Sequence, residues 1–448
     1  MQNTLSTSYK YKALIALAYP IMLGNLAQTL ITLTDTAFLG RVSQNALSAS
    51  LMTGIFYYVF VTLAWGFSIG VQIMIARRLG ENKLNRIGVV FHHGVMMAIP
   101  LALLLFGIMH FFAGPILGDV IVSDNIRPLA VKYISYRYIG ILFVCFNFLF
   151  RALYIGLSNT KPITYSTIIM ACVNIFLDYV LIFGRLGFPM LGVAGAAIAS
   201  VCAEVSALIF FIIYTYFRVP LAKYSLLTFH KLEGWLLQSL VKLSLPTMLQ
   251  RLLSIGIWFL FFILIERMGE RPIAVTGVIR SVYMLVSIPA FALGTVANTL
   301  TSRLIGEGRR DEVFAMLIKT VKLSMLCVLP IVLLCVIYPS SLLSIYTDDM
   351  SLVRDSYGAL YMLCFGTITL SAGVVFFESV SGRGETFHAM MLESVVLLIY
   401  IVYIWFLSTY LKVAIGWVWS SELLYWGLLG LFSFIYLRKR KNARLKEL

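Results

Sequence analysis

The sequence predicts an all-α polytopic membrane protein whose twelve transmembrane helices form two pseudo-symmetric six-helix lobes, built as parallel repeats. Three observations predict it: the composition, the spacing of the apolar runs, and a set of residues recurring at one offset. Of 448 residues, 60% are hydrophobic and 12% charged, with a mean hydropathy of +0.91. A soluble globule needs a charged skin that this composition cannot supply.

Apolar runs of spanning length lie near 13–39, 46–76, 89–113, 128–157, 161–184, 190–217, 240–268, 272–302, 313–338, 353–381, 387–410 and 413–437. The first follows the polar stretch Met1 to Lys12. It is too long for a removed signal segment and lacks a small-residue cleavage site, so it is expected to stay as helix 1. Twelve spans put both termini on one side. With cytoplasmic termini, the even-numbered connections and the tails hold about 23 Lys/Arg and the odd-numbered connections about 9; Arg151, Arg251 and Arg280 fall within helices. The positive-inside rule therefore places both termini in the cytoplasm, as a multi-pass protein of the bacterial inner (plasma) membrane. The net charge of +15 is then a topology signal and not a nucleic-acid footprint. The run Arg438-Lys439-Arg440-Lys441 reads as a stop-transfer flank against anionic lipid.

Six cysteines (145, 172, 202, 327, 335 and 364) lie inside apolar runs with no Cys-x-x-Cys, and they read as packing residues. The five histidines (His92, His93, His110, His230, His388) have no metal-binding spacing and are expected at helix ends near the interface. No cofactor is expected, and neither a nucleophile with its base nor a metal pair stands out, which argues against an enzyme.

Pro20 and Pro246 are 226 residues apart, as are Gly80 and Gly306, Gly140 and Gly366, Gly156 and Gly382, and Thr160 and Thr386. The chain is a duplicated six-helix unit. Each unit has an even number of helices, so both enter from the same side and are related by an axis along the membrane normal. The expected division is an N-terminal lobe over 1–217, a cytoplasmic linker over 218–239 and a C-terminal lobe with its basic tail over 240–448. A cleft between such lobes is the natural place for alternating access to a small-molecule substrate, and one chain suffices for it.

The repeat is also an internal control for charge. At the shared offset Asp35 aligns with Phe261 and Asp178 with Ile404, so the second copy has no acid at either place. Inserting an ionised aspartate at bilayer depth costs at least about 2.5 kcal/mol, which marks these acids as functional candidates.

On helix 1, Asn25, Gln28, Thr32 and Asp35 follow steps of three, four and three, and form one polar stripe. On helix 5, Asn174 and Asp178 are four apart and share a face. Helix 6 opens with small residues from Gly192 to Ser200 that permit close helix contact. At about 1.5 Å per residue, Asp35 lies about 7 Å below Gly40, Asp178 about 10 Å below Arg185 and Ser200 about 13 Å below Leu191, all in the outer half of the membrane. Two carboxyls, an amide and a hydroxyl at one depth suit Na⁺ held through oxygens, or a proton shared between like charges. The alternative is a satisfied interhelical hydrogen-bond network.

Other polar groups have two readings each. Arg251, Arg280, Glu378 and Glu393 form an ion cluster candidate in the second half, as a structural or gating device or as substrate contacts. Glu204, one turn below Ser200, is a second proton carrier or a counter-charge for a cationic substrate, or else a buried hydrogen-bonded group. On helix 2, Tyr58, Thr62, Trp65 and Gln72 recur at helical spacing and suit a chamber with cation–π character, although single aromatics more often pack.

Pro20, the Asp35-Thr36-Ala37-Phe38-Leu39-Gly40-Arg41 segment, Ala76-Arg77-Arg78-Leu79-Gly80-Glu81, Asn174-x-x-x-Asp178 and the Gly-Val-Ala-Gly-Ala-Ala-Ile-Ala-Ser run resemble the multidrug and toxic compound extrusion (MATE) family over essentially the whole chain. The resemblance implies a V-shaped pair of six-helix lobes exporting organic, often cationic, compounds in exchange for H⁺ or Na⁺. It implies a cation site at Asp35, Asn174, Asp178 and Ser200, the last with Ser for Thr. Some members carry an acid on helix 7 and another on helix 10; here Ser254 or Ile255 and the neutral stretch from Ser371 to Gly373 stand there, so coupling is expected in the N-terminal lobe. Protonation would neutralise the stripe and let helix 1 bend at Pro20, the weak point of its hydrogen-bond ladder. The rival is a flippase for a lipid-linked saccharide precursor, which would call for a more cationic cavity than these acids offer. An ion channel would need a re-entrant filter or a ring of charge, and no segment supplies one.

Overall fold

A computed structural model describes residues 10–226 and 228–445, with side chains through Lys439. The basic tail beyond Lys439 and the polar stretch before Lys10 therefore lie outside the side chains described. Ten helices are long and apolar enough to cross a membrane, and two bent pairs bring the spans to twelve. In chain order they are α1 (Tyr11–Val42), α2 (Gln44–Gly80), α3 (Asn85–Val120), α4 (Arg127–Arg137 and Gly140–Gly156), α5 (Lys161–Phe183) and α6 (Val193–Arg218). The second six are α7 (Gly234–Glu266), α8 (Glu270–Val286 and Ile288–Gly306), α9 (Glu312–Ile337), α10 (Tyr357–Gly382), α11 (Thr386–Tyr410) and α12 (Ile415–Lys439).

Local signals set the ends. Ser43 adopts an extended conformation and accepts from the Ala46 N–H, capping α2. Lys161-Pro162 open α5, where a missing N–H costs nothing, and Gly184 at φ +66° closes it. The sequence reads spans 4 and 8 as single runs, but they bend by 51° and 47°. At α8 the cause is Pro289, whose ring removes a backbone donor just after the break at Ser287. In contrast α1 stays helical through Pro20, and α7 through Pro246.

The chain packs as two compact units. Leu23–Met248 forms one, and the remainder of the described chain forms the other. Each division falls two residues after an interior proline, so the boundary obeys the same 226-residue offset as the sequence. Within the first unit a Cβ on Gly156 of α4 would press on Ile75 and the Gln72 carbonyl of α2; within the second, a Cβ on Gly382 of α10 would collide with the Asn298 backbone of α8. Gln72 and Asn298 are themselves 226 apart, so the two units repeat one helix contact. A Cβ on Gly66 would lie 2.7 Å from Met248 Cα, which draws the start of α7 against α2 within the first unit.

The segment before α7 is tied to the same unit. Arg86 grips Glu233 with both nitrogens at 2.7 and 2.6 Å, and its guanidinium lies over Trp235. His93 departs from the interfacial expectation. It is fully buried, with Nδ1 2.8 Å from the Val89 carbonyl and Nε2 accepting from the Glu233 N–H at 2.8 Å. A carbonyl on one side requires an N–H there, and an N–H on the other requires a lone pair, so the geometry fixes the neutral Nδ1–H tautomer.

Candidate functional site

The helical period that predicts the stripe also sets the site. Asp35 is about two turns from the end of α1, while Asn174 and Asp178 occupy one face of α5. The Asp35 carboxyl lies beside those of Asp178 and the amide of Asn174. Asn174 and Asp178 are fully buried and Asp35 is partly so. Asp35 Oδ1, both oxygens of Asp178 and both amide atoms of Asn174 are buried without a hydrogen-bond partner among the described residues.

That pattern has a chemical cause. An ionised carboxylate only accepts hydrogen bonds, so two of them facing one another cannot satisfy each other. A proton or a cation between them satisfies both, and burial makes the unsatisfied state expensive.

α6 supplies the back wall. A Cβ on Gly195 would lie 2.7 Å from the Leu181 carbonyl, so the two helices approach backbone to backbone. Ser200 is buried on α6 but makes no hydrogen bond to the acid pair among the described residues. Along α1, Asn25 is partly buried while Gln28 and Thr32 are exposed, and Thr32 spends its hydroxyl on the Gln28 carbonyl.

Glu204 is already answered by a cation. Arg137, at the end of the first limb of α4, donates to Glu204 Oε1 at 2.6 Å and Oε2 at 3.0 Å. The same guanidinium contacts the Tyr57 hydroxyl at 3.0 Å and lies 3.9 Å from that ring's centroid. Gly140 makes room for this clamp, since a Cβ there would strike both Glu204 and Arg137. In this arrangement Glu204 is an ion-paired residue and not a free carrier. Sequence reading missed Arg137, which counts as a connection charge until the bend of α4 turns it inward.

The chamber residues of α2 do not share one surface. Tyr58 is 49% exposed, Trp65 stacks on Phe148 with centroids 6.4 Å apart, and Thr62 and Gln72 are buried inside the unit. In the second unit Arg251 meets Glu378 at 3.0 Å, and Asn298 donates to the same carboxylate at 3.2 Å. Glu393 accepts from Ser254 and Tyr425, each at 2.6 Å. Arg280 covers the Trp258 and Phe262 rings at 5.0 and 5.5 Å. The counterparts of the acid pair, Phe261 and Ile404, are both fully buried, and Phe261 packs on Tyr400, the counterpart of Asn174. An apolar and aromatic core thus stands where the first unit holds two acids.

The family model MatE matches the chain twice, over residues 20–180 and 246–406, again 226 apart. The chain is 27% identical over 299 residues to a probable multidrug resistance protein NorM of Agrobacterium fabrum, covering 66% of this chain and 64% of that one. It is 25% identical over 389 residues to a probable multidrug resistance protein NorM of Thermotoga maritima, covering 85% and 82%. Among solved structures, a MATE protein in complex with MaL6 superposes with a TM-score of 0.89 at 22% identity, over 98% of this chain and 97% of that one.

Proposed function

The chain belongs to the MatE family, and we propose on that premise that it is a secondary antiporter exporting organic cationic or amphipathic compounds in exchange for H⁺ or Na⁺ by alternating access. Its known relatives are named as multidrug resistance proteins, which supports the export reading. One observation carries the coupling reading: the buried carboxyl groups of Asp35 and Asp178 lie beside one another and the Asn174 amide, with Asp35 Oδ1, both Asp178 oxygens and both amide atoms lacking a hydrogen-bond partner among the described residues. Asp35 and Asp178 carry the exchanged charge in this reading, Asn174 assists them, and Ser200 joins the group in another state of the cycle. Pro20 serves as the hinge of α1. The protein acts as a monomer in the inner membrane with both termini cytoplasmic, as its basic connections favour.

Coupling follows from linkage. Cargo and ion shift the transporter only if each prefers a different state. Binding of the ion relieves the unsatisfied pair and so favours the state in which the pair is closed together.

The test is efflux of a cationic dye from proteoliposomes with ΔpH and ΔNa⁺ imposed separately. Export against the dye gradient under either one alone supports antiport and names the ion. Dye movement that only follows its own gradient under both contradicts it.

A further inference from the structure

The second unit also buries an acid on its last helix, although the position that matches Glu204 at the repeat offset is Gly430. Glu422 on α12 is 5% exposed. A Cβ on Gly366 of α10 would lie 3.2 Å from Glu422 Cβ, where α10 meets the backbone of α12, while Gly140, 226 residues earlier, lies against the Glu204 carboxylate. Tyr57 beside Glu204 also has its counterpart: Tyr283 of α8, at the same offset, stands beside Glu422. The glycine and the tyrosine are therefore repeated beside a buried glutamate in each unit, although the glutamates themselves occupy different positions of the repeat. The arginine is not repeated. The position matching Arg137 is Leu363, 1% exposed, and no Lys, Arg or His among the described residues forms an ion pair with Glu422.

We propose that Glu422 is a second exchangeable proton site, held without an arginine; as a coupling group it rests on the antiport reading above. Its neighbours suit both charge states. The Tyr400 hydroxyl donates to Oε1 at 3.1 Å, and Tyr283 and Trp426 stand beside the carboxyl. A tyrosine hydroxyl donates to a carboxylate and accepts from a carboxylic acid, whereas guanidinium only donates. Glu204 and Glu378 are committed to Arg137 and Arg251, and Glu422 is committed to hydroxyls that can reverse.

Among the described residues no cation of the surrounding elements pairs with it. α8 contributes Tyr283, and its cation Arg280 lies over Trp258 and Phe262. α11 contributes Tyr400 and α12 itself Tyr425, whose hydroxyl bonds Glu393. α10 presents Gly366, and α7 presents Phe261, stacked on Tyr400 at 6.3 Å. This adds Glu422 to Glu393 as a hydroxyl-bonded carboxyl in the unit where the acid pair itself is replaced by Phe261 and Ile404.

The experiment is infrared titration of the protonated-carboxyl stretching band on the full-length protein in lipid, with ethidium efflux under imposed ΔpH measured alongside. The proposal expects E422Q to remove one titrating component that survives in the D35N/D178N variant, and to alter the pH profile of efflux. Should E422Q fold poorly, Y283F and Y400F remove a partner and keep the acid, and both should displace the midpoint of that same component. An E422Q titration superimposed on the wild type, or an efflux pH profile unchanged by E422Q, overturns the proposal; so does a component that neither tyrosine variant moves. Wild-type efflux in D35N/D178N would instead overturn the acid-pair reading and leave the infrared result at Glu422 standing.

Discussion

Arg137 holds Glu204 in a two-pronged ion pair, and that pair decides how the neighbouring acids behave. The guanidinium is close enough for its charge to reach Asp35, yet its nitrogens are engaged by Glu204 and Tyr57. Glu204 thereby keeps the arginine from locking the aspartates.

Glu204→Gln should then do two things. Leaving a buried guanidinium without its counter-charge costs about 3–5 kcal/mol. The freed charge should also turn to Asp35 and suppress exchange. Pairing it with Arg137→Met should restore much of the stability, which a double-mutant cycle on thermal unfolding would read. Simple additivity of the two losses would contradict the clamp.

Close approach of α5 and α6 depends on Gly195, whose missing side chain lets the backbones meet. Gly195→Ala should cost about 1–3 kcal/mol by overpacking and lower the melting temperature. The displaced α5 should weaken coupling as well. An unchanged melting curve would show that the helices part freely.

The tie before α7 should respond to acid in one direction. The Arg86 guanidinium holds the Glu233 carboxyl below its ordinary value. A depressed folded value means that the tie contributes fully above the unfolded value of about 4.3 and is lost as pH falls below it. Hydrogen exchange over residues 219–233 should therefore accelerate on acidification, and Glu233→Gln should abolish that acid dependence. Equal acid dependence in the variant would place its origin elsewhere.

Much of this was legible in the sequence, for physical reasons that differ by residue. Spans follow from the length of hydrocarbon they must cross, and the duplication from residues such as Pro20 and Pro246 that repeat because each copy needs the same backbone. The grouping of Asn174 with Asp178 follows from helical period alone. Arg137 was illegible because its partner, Glu204, is 67 residues away and the 51° bend of α4 has no proline to announce it. Glu422 sits inside an apolar run, and its partners emerge only when α8 and α11 bring Tyr283 and Tyr400 to it. His93 reads as one of an interfacial pair until Glu233 is brought to it by the chain's return.

Exchange in this protein rests on the acid pair Asp35 and Asp178. Gradient-driven dye efflux in proteoliposomes, compared among the wild type, Asp35→Asn and Asp178→Asn at matched reconstitution, tests it most directly. Each variant should fold and lose coupled export by roughly 5–150-fold, the range of ordinary coupling energies. Undiminished export in either variant under the same gradient would contradict it.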